Sequence, residues 1–373
     1  MKNLCFFNSC QVWGGGEHWH YHAACWCKQQ GYSVLVITNV KSELAERVSS
    51  AGLTLRQIQV SNLSALHPCK VRRVMQLLRD FRIDVLFANL PSDVKIAGLA
   101  AYLAGSPQVF YRRGTALPVK NSWLNRLIFR YFLSGVIVNS QEVKRRLLQN
   151  TTALIPEKKI HVLYNGLDPK AYKQHHVIPL YAKRNAEIVL GNAGRFVGQK
   201  GHIYLVKLAQ HLKTQGVQFI LLLAGKGPLE GYIRRIVKEA GLEQEVRFVG
   251  FTEDINSFLH SIDIFVSTSL HEGSSHAVLE AMSAGKAIVA FDISSLPEMV
   301  LHEQNGLLVP AGDVNALAEA VVRLLHNAGL RERMGRNGQN FIDKYFTKDT
   351  MFRQLKHIIE YGKAETFSHN HHM

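Results

Sequence analysis

Short apolar runs alternate with amphipathic stretches along the first half of the chain. Helical spacing of apolar residues occurs at Val71–Phe81 and again at Lys95–Ala104. The apolar runs around these stretches predict strands at Val34–Thr38, Asp84–Ala88, Val109–Tyr111 and Val136–Asn139. A further apolar segment at residues 4–7 runs straight into a glycine loop, as a first strand would. Strands that alternate with helices predict a parallel, doubly wound α/β sheet.

The alternation stops at a polar segment and then restarts. Residues 174–185 carry His175, His176 and Pro179, and we interpret them as a linker. After it come five more strand-like runs with helices between them, at Ile188–Gly191, Phe219–Ala224, Val246–Phe248, Ile264–Ser267 and Ala287–Ala290. The predicted fold class is therefore α/β, with two similar Rossmann-like, doubly wound domains in tandem. Ligands of such sheets bind at the carboxyl ends of the strands, and a cleft between two facing domains is a natural site.

The domain limits follow from this break. We expect a first domain at residues 1–173, a second at 186–345, and a C-terminal helix and tail at 346–373. One apolar stripe on the helix Met351–Tyr361 is formed by Phe352, Leu355, Ile358 and Ile359. We expect this helix to return to the first domain.

The charged residues are unevenly distributed along the chain. The 373 residues are 47% hydrophobic and 20% charged, which is typical of globular domains. Residues 1–173 hold 23 Lys and Arg against 9 Asp and Glu, a net charge of +14, whereas residues 174–373 hold 21 against 20. A basic first half is compatible with anionic partners such as acidic lipid headgroups, phosphorylated glycolipids or nucleic acid. The alternative is that the excess of basic residues only makes the surface soluble.

Cysteine usage and hydropathy bear on the compartment. The five cysteines are odd in number and lack a second pair at zinc-site spacing, which indicates free thiols in a reducing compartment. No apolar stretch reaches about 18 residues, and the start does not read as a secretory signal. We therefore expect a cytoplasmic protein with neither a transmembrane helix nor a metal site.

Two glutamates, Glu272 and Glu280, stand eight positions apart after the predicted strand Ile264–Ser267. The turn between strand and helix holds Gly273, Ser274, Ser275 and His276, and its serines would cap the helix. The glutamates would lie about 10 Å apart, which is about the separation of sugar and ribose in a nucleotide-diphosphate-sugar. The N–H groups at the helix start would bind a diphosphate between them. Two ordinary surface glutamates are the alternative.

Two glycine-containing loops complete the candidate chemistry. Arg195 and Lys200 lie in the loop Gly194–Gly201 before the helix His202–Leu212, where both cations could face one diphosphate. A generic loop with exposed cations is the alternative. The loop Trp13–Glu17 carries three glycines that let a ligand approach the backbone closely. It does not form the G-x-G-x-x-G pattern of dinucleotide-binding proteins.

In order and spacing these motifs resemble the large group of retaining glycosyltransferases called family 4. The matching segments, in chain order, are Gly14-Gly15 with Glu17 for G-G-x-E, Asn165-Gly166-Leu167-Asp168 for N-G-v-D, Gly194-Arg195 with Lys200-Gly201 for G-R-x4-K-G, Gly225-Lys226-Gly227-Pro228 for G-x-G-P, Val246–Gly250 for v-x-F-x-G, Glu272 with Glu280 for E-x7-E, and Asn305–Val309 for N-G-x-L-v. Each motif is modest, but seven of them in the family's order make the resemblance specific.

The resemblance implies a GT-B fold, in which two Rossmann-like domains face each other across a cleft. It also implies sugar transfer from a nucleotide-sugar substrate with retention of configuration and without a metal or cofactor. Arg195 and Lys200 would neutralise the leaving diphosphate, Glu272 would hold the donor sugar, and these three are the predicted catalytic residues. The remaining predicted donor-binding residues are Gly14, Gly15, Gly250, Gly273, Ser274, Ser275, His276 and Glu280, with Glu280 on the ribose hydroxyls.

The chain departs from the family pattern at two places. Ser274-Ser275-His276 follows the first glutamate and glycine, where many members carry an apolar residue and then proline or glycine. Many members also carry a histidine in a first-domain loop near the donor sugar, where this chain reads Tyr111-Arg112-Arg113-Gly114. Arg112 and Arg113 there would face an anionic reactant, and we expect a lipopolysaccharide core or another lipid-linked saccharide as the acceptor. An ion pair or a solvated surface is the alternative.

The stretch Lys120–Leu133 combines apolar and aromatic residues at helical spacing with basic residues. It predicts peripheral contact with an anionic membrane, at the inner face of the cytoplasmic membrane, and a helix packed on its own sheet is the alternative. The rival activities on this fold are a nucleotide-sugar epimerase and a phosphorylase, although no specific signal for a pyridoxal phosphate lysine occurs. A nucleic-acid-binding protein would need basic residues interleaved with stacking aromatics on one element, so we expect no nucleic-acid partner.

Overall fold

The computed structural model describes residues 1–105, 107–115, 119, 122–151, 154–173, 177–184 and 187–364. By packing, the chain forms two compact units. Unit 1 comprises Met1–Tyr164 together with the described residues from Met351 onward, and unit 2 comprises Asn165–Thr350. Packing thus assigns residues 165–173, predicted as the end of the first domain, to unit 2.

Strands and helices alternate along both units. The strands are β1 (Asn3–Asn8), β2 (Ser33–Thr38), β3 (Thr54–Gln57), β4 (Val85–Ala88), β5 (Gln108–Arg113), β6 (Gly135–Val138), β7 (Ile160–Val162), β8 (Val189–Ala193), β9 (Ile220–Ala224), β10 (Val246–Gly250), β11 (Ile264–Ser267), β12 (Ala287–Phe291) and β13 (Gly306–Val309). The helices are α1 (Gly15–Gln29), α2 (Glu43–Ser50), α3 (Pro68–Asp80), α4 (Pro91–Ala104), α5 (Trp123–Leu127), α6 (Gln141–Thr151), α7 (His202–Thr214), α8 (Glu230–Glu239), α9 (Ile255–Ser261), α10 (His276–Ser283), α11 (Val314–Leu325), α12 (Ala328–Tyr345) and α13 (Lys348–Tyr361). None of the described helices is both long and apolar enough to span a membrane.

Unit 1 is built on a parallel sheet with the strand order β3-β2-β1-β4-β5-β6-β7. Alternate residues of each strand face opposite sides, so Leu4 and Phe6 of β1 lie under α1, α2 and α13. Cys5 and Phe7 face the other side, which α3, α4 and α6 cover. Leu355 of α13 is fully buried in the first layer, so the C-terminal helix packs on unit 1.

Unit 2 repeats this plan with the strand order β10-β9-β8-β11-β12-β13, again all parallel. Its main apolar core lies between the sheet and α7, α8, α11 and α12, with Leu221, Val266 and Val289 at its centre. Both sheets reverse their strand order between the first and the fourth strand, as in Rossmann folds. The predicted fold class, two Rossmann-like parallel α/β domains, is confirmed.

The described part of the predicted linker, residues 177–184, is attached to unit 2. The backbone N–H of Leu180 donates to the Ser257 carbonyl at 3.2 Å. Lys183 Nζ lies 2.5 Å from Asp263 Oδ1. Residues 174–176 and 185 of that linker, like the tail 365–373, lie outside the described residues.

Candidate functional site

The strand order of unit 2 reverses between β8 and β11, which are neighbours in the sheet. In open α/β sheets, ligands bind at the carboxyl ends of the strands beside such a reversal. The loop Gly194–Gly201 leaves β8 at this edge, and the turn at residues 271–275 leaves β11 there. The sheet therefore brings together the two segments that the sequence singled out.

The backbones of these two segments are tied to each other. The Leu270 N–H donates to the Gln199 carbonyl at 2.8 Å, and Gln199 Nε2 donates to the His271 carbonyl at 2.7 Å. Gly201 has a φ of +63°, and a Cβ there would lie only 2.1 Å from the Thr268 carbonyl oxygen. A glycine is required at this close approach, which fixes the position of the neighbouring Lys200.

Lys200 and Glu272 meet directly at this edge. The Nζ of Lys200 lies 2.5 Å from Oε1 of Glu272, and the Ser269 hydroxyl donates to the same oxygen at 2.8 Å. Glu272 is 6% exposed and the Lys200 side chain 24% exposed. An ammonium has three N–H donors, so Lys200 can contact a second anion while holding Glu272.

Arg195 projects from the same loop and is exposed. Beside it, Gly225 has a φ of +136°, and a Cβ there would lie 2.0 Å from the Gly194 carbonyl oxygen. The Gly225 N–H donates to the Gly250 carbonyl at 2.7 Å, and Gly250 itself has a φ of +74°. Gly250, predicted as a donor contact, thus has a backbone role in holding the loops at this edge.

Helix α10 begins directly after the β11 turn, with Ser275 as its N-cap residue. The expectation that the serines supply capping oxygens is wrong for Ser275, because its side chain makes no capping hydrogen bond. Gly273, Ser274 and His276 are half-buried around this helix start. The helix dipole, with the N–H groups of the first turn, favours an anion at this end.

Glu280 lies in the middle of α10 and is half-buried. The hydroxyl of Tyr172 donates to its Oε1 at 3.2 Å. Burial raises the pKa of Glu280 to about 7, and the hydrogen bond from Tyr172 opposes that rise. Tyr172 was not among the predicted site residues, although it follows closely after the N-G-L-D segment.

His202, the first residue of α7, is a second residue that the sequence reasoning missed. It is 3% exposed, its ring centroid lies 4.5 Å from that of Phe196, and neither ring nitrogen has a hydrogen-bond partner among the described residues. Burial lowers its pKa to about 4, with a smaller contribution from Lys200. The ring is therefore neutral at physiological pH. Nothing in the local sequence, where His202 follows Lys200 and Gly201, indicated that this ring would be buried.

The glycine loop of unit 1 continues directly into α1. Gly14 is the N-cap residue of α1 and Gly15 its first residue, where a Cβ would meet no atom within 4 Å. A Cβ at Gly16 would lie 2.8 Å from the Asn89 side chain. Gly14 and Gly15 thus leave the helix start open to a ligand, whereas Gly16 serves packing.

Arg112 and Arg113 are buried within β5, each 6% exposed, and not in the loop after it as predicted. The guanidinium of Arg112 lies 5.5 Å from the centre of the Trp19 ring, and Arg113 Nη1 donates to the Tyr111 hydroxyl at 3.2 Å. Burial lowers the pKa of Arg112 to about 10, while buried Glu17 raises it in part. A solvated surface is therefore excluded for this pair.

The predicted amphipathic stretch Lys120–Leu133 is not one regular helix. Lys120 lies outside the described residues, α5 covers only five residues, and a π-helical segment, Ile128–Phe132, follows it. Ile128, Phe129 and Leu133 are buried in the core of unit 1. Exposed side chains in the described part of this stretch include Trp123, Leu124, Arg126, Leu127, Arg130 and Tyr131.

The five cysteines are free thiols, with Cys5 and Cys27 buried. Within the described ranges, no group of three or more His, Cys, Asp or Glu side chains is arranged to hold a metal ion.

Comparison with known proteins adds two family matches in succession. Residues 13–171 match the family described as Glycosyltransferase Family 4, and residues 177–341 match Glycosyl transferases group 1. The chain is 30% identical over 222 residues to the putative glycosyltransferase EpsF of Bacillus subtilis, covering 56% of this chain and 57% of EpsF. It is also 30% identical over 186 residues to the lipopolysaccharide core biosynthesis glycosyltransferase LpsD of Rhizobium meliloti, covering 50% of this chain and 53% of LpsD. The matched region thus spans little more than half of either relative.

A similar fold occurs in HepE of Anabaena, whose crystal structure is a complex with UDP. The two chains superpose with a TM-score of 0.82 over 96% of this chain and 99% of HepE, at 21% identity.

Proposed function

Because the chain belongs to the glycosyltransferases, matching family 4 and group 1 in succession, we propose that it transfers a sugar from a nucleotide-diphosphate-sugar to an acceptor hydroxyl. Transfer retains the configuration at the anomeric carbon and needs neither a metal nor a cofactor. The nucleotide-sugar is a substrate.

The contact between Lys200 and Glu272 is the observation that carries this proposal. It supports the proposal because a cation that could neutralise a leaving diphosphate lies beside a carboxylate that can accept hydrogen bonds from sugar hydroxyls. Exposed Arg195 supplies a second cation, and the start of α10 favours an anion. HepE binds UDP on a similar fold, which supports a nucleoside diphosphate as the leaving group.

In the transfer step, the bond between the anomeric carbon and the diphosphate oxygen breaks, and the diphosphate leaves with the electron pair. The acceptor oxygen forms the new bond to the anomeric carbon, and its proton passes to the leaving diphosphate oxygen. Negative charge develops on the diphosphate as it leaves, so fixed cations at this place stabilise the transition state more than the ground state. Lys200 and Arg195 do this work, and Glu272 orients the sugar.

The donor site can be tested by substituting its two cations one at a time. Lys200→Ala and Arg195→Ala should each lower the rate of transfer by about 10²–10³-fold. The thermal midpoint should change little in Arg195→Ala and fall in Lys200→Ala, because buried Glu272 loses its cation. Lys213→Ala is the matched control, because Lys213 pairs with Glu245 at 2.8 Å elsewhere in unit 2 and should leave transfer unchanged. Donors are first selected by their effect on the thermal midpoint, since a ligand that binds the native state stabilises it.

Wild-type rates in well-folded Lys200→Ala and Arg195→Ala proteins would remove these residues from the mechanism. Transfer should also persist in excess chelator. Complete loss in chelator that magnesium or manganese reverses would show that a metal neutralises the diphosphate.

On the acceptor side, we propose that Arg112 and Arg113 serve an anionic group of a lipid-linked saccharide such as a lipopolysaccharide core. Both guanidinium groups are buried at the carboxyl end of β5, where a desolvated arginine fork binds phosphate strongly. LpsD, a relative, is a lipopolysaccharide core glycosyltransferase. Equal transfer to intact and dephosphorylated glycolipid, by both wild type and Arg113→Ala, would contradict this proposal.

We further propose a cytoplasmic enzyme that contacts the inner face of the membrane through its docking surface. We define the docking surface as the exposed residues Trp123, Leu124, Arg126, Leu127, Arg130 and Tyr131. Aromatic and aliphatic side chains beside arginines suit the interface of an anionic lipid bilayer. The free cysteines fit a reducing compartment.

A further inference from the structure

Residues 165–173, which we call the entry segment, are fixed to unit 2 at both ends. Near its start, the Leu167 N–H donates to the Phe346 carbonyl at 2.9 Å, and the Lys348 N–H donates to the Leu167 carbonyl at 2.8 Å. At its end, Lys173 Nζ lies 2.6 Å from Asp343 Oδ2. These contacts hold the backbone on either side of Tyr172.

The turn that carries Tyr172 is itself well defined. Asp168 caps the 3-10 segment Pro169–Tyr172 by accepting a hydrogen bond from the Lys170 N–H at 3.1 Å. Pro169 restricts the first position of the turn. Asn256 Nδ2 donates to the Ala171 carbonyl at 2.5 Å. The backbone that carries the Tyr172 ring therefore has little conformational freedom.

From this position the Tyr172 hydroxyl reaches Glu280 Oε1 at 3.2 Å. Both side chains are half-buried, so the hydrogen bond forms where few waters could replace it. A carboxylate has about four acceptor positions on two oxygens. Donation to Oε1 orients the group and leaves the other oxygen available to a ligand.

We propose that Tyr172 is a positioning residue that orients the Glu280 carboxylate toward the ribose hydroxyls of the bound nucleotide. This inference rests on the proposed function, in which Glu280 contacts the ribose. Two neighbouring hydroxyls require a carboxylate in one fixed orientation if its second oxygen and the remaining acceptor position on Oε1 are both to be used. Losing the Tyr172 hydroxyl frees the Glu280 carboxylate to rotate. The ribose hydroxyls then contribute less to the free energy of nucleotide binding.

The test compares the full-length Tyr172→Phe protein with wild type in calorimetric titrations. UDP, GDP and ADP are titrated first, and the nucleotide that wild type binds best is then compared with its 2′-deoxy form. Tyr172→Phe should weaken binding of the ribonucleotide about tenfold and weaken binding of the deoxynucleotide less than twofold. A role in folding alone would weaken both nucleotides equally.

Two further variants sharpen the comparison. Tyr181→Phe removes a similar tyrosine–glutamate hydrogen bond, to Glu187 Oε2 at 2.8 Å in the same unit, and should change neither affinity. In the Glu280→Gln background, adding Tyr172→Phe should have a much smaller effect on ribonucleotide affinity.

An equal loss for both nucleotides, or no loss for either, overturns the positioning role of Tyr172. If wild type binds none of the three nucleotides, the donor-site assignment fails instead, and the inference fails with it. The two failures are therefore distinguishable by the wild-type titration alone.

Discussion

At the scale of single residues, burial makes the protonation of Glu280 depend on pH near neutrality. The pKa of Glu280 is raised to about 7, whereas a glutamate in the unfolded chain ionises near its ordinary pKa of 4.5. As pH rises between these two values, the unfolded state loses the proton first. The contribution of Glu280 to folding stability is therefore full below pH 4.5 and is lost as the pH rises through 7.

Glu280→Gln should remove this loss of stability at alkaline pH. The free energy of unfolding of Glu280→Gln minus that of wild type should rise by up to about 3 kcal/mol between pH 4.5 and pH 8, as measured by urea unfolding. The exposed glutamate Glu319 provides the control, because Glu319→Gln should show no such rise. The same difference at both pH values would mean that Glu280 titrates normally in the folded protein.

Residue identities predicted part of the site. The motifs placed Lys200 and Glu272 at one sheet edge, and the structure joins them. The motifs did not reveal the contact between Tyr172 and Glu280, because Tyr172 belongs to none of them and lies 108 positions from Glu280. Local patterns report periodicity and turns, whereas a hydroxyl that orients a distant carboxylate depends on tertiary packing.

At the scale of elements, the sequence predicted the central strands and the edge strand β10 but missed the edge strands β3, β7 and β13. A strand covered on both faces, such as β4 or β12, forms a continuous apolar run that is visible in the sequence. The edge strand β3 is mainly exposed and polar, and β7 at the other edge has three residues. Neither contains the apolar run on which the prediction depended.

The loop after β8 offers a direct test of how its backbone is held. Gly201→Ala should lower the free energy of unfolding by at least about 2 kcal/mol, because the new Cβ would strike the Thr268 carbonyl and alanine disfavours positive φ. Gly198→Ala is the control, since a Cβ there meets nothing within 4 Å. Urea unfolding measures both, and equal stabilities would show that the Gly201 loop can move to accommodate a side chain.

At the scale of the whole molecule, the two units have similar folds, but the net charge is unevenly distributed along the chain. Unit 1 and unit 2 share a sheet plan, yet residues 1–173 carry +14 of the net charge of +15. The docking surface adds exposed Trp123 and Tyr131 to the basic half. Because Arg126 and Arg130 are exposed on this same surface, attraction to an anionic membrane and insertion of aromatic side chains would act at the same place.

Vesicle sedimentation should show this preference. The protein should bind vesicles containing anionic lipid more than neutral ones, and binding should weaken as salt screens the charges. Trp123→Ala with Tyr131→Ala should reduce binding severalfold. Phe251→Ala is the control, because Phe251 is an exposed aromatic residue beside Lys226 in unit 2. Binding that does not depend on lipid charge, or no binding at all, would leave α5 as a helix that only packs on its own sheet.

The return of the last helix to unit 1 determines the order in which the two units are completed during synthesis. Unit 2 lies inside the sequence of unit 1, so all of residues 165–350 leave the ribosome before Met351 does. Until then, the apolar layer on the side of the sheet that carries Leu4 and Phe6 lacks the part formed by Leu355, Ile358 and Ile359. A nascent or truncated chain that ends before Met351 therefore keeps Lys200, Glu272 and Glu280 but exposes the part of the apolar layer that α13 covers, which is the kind of surface that chaperones bind.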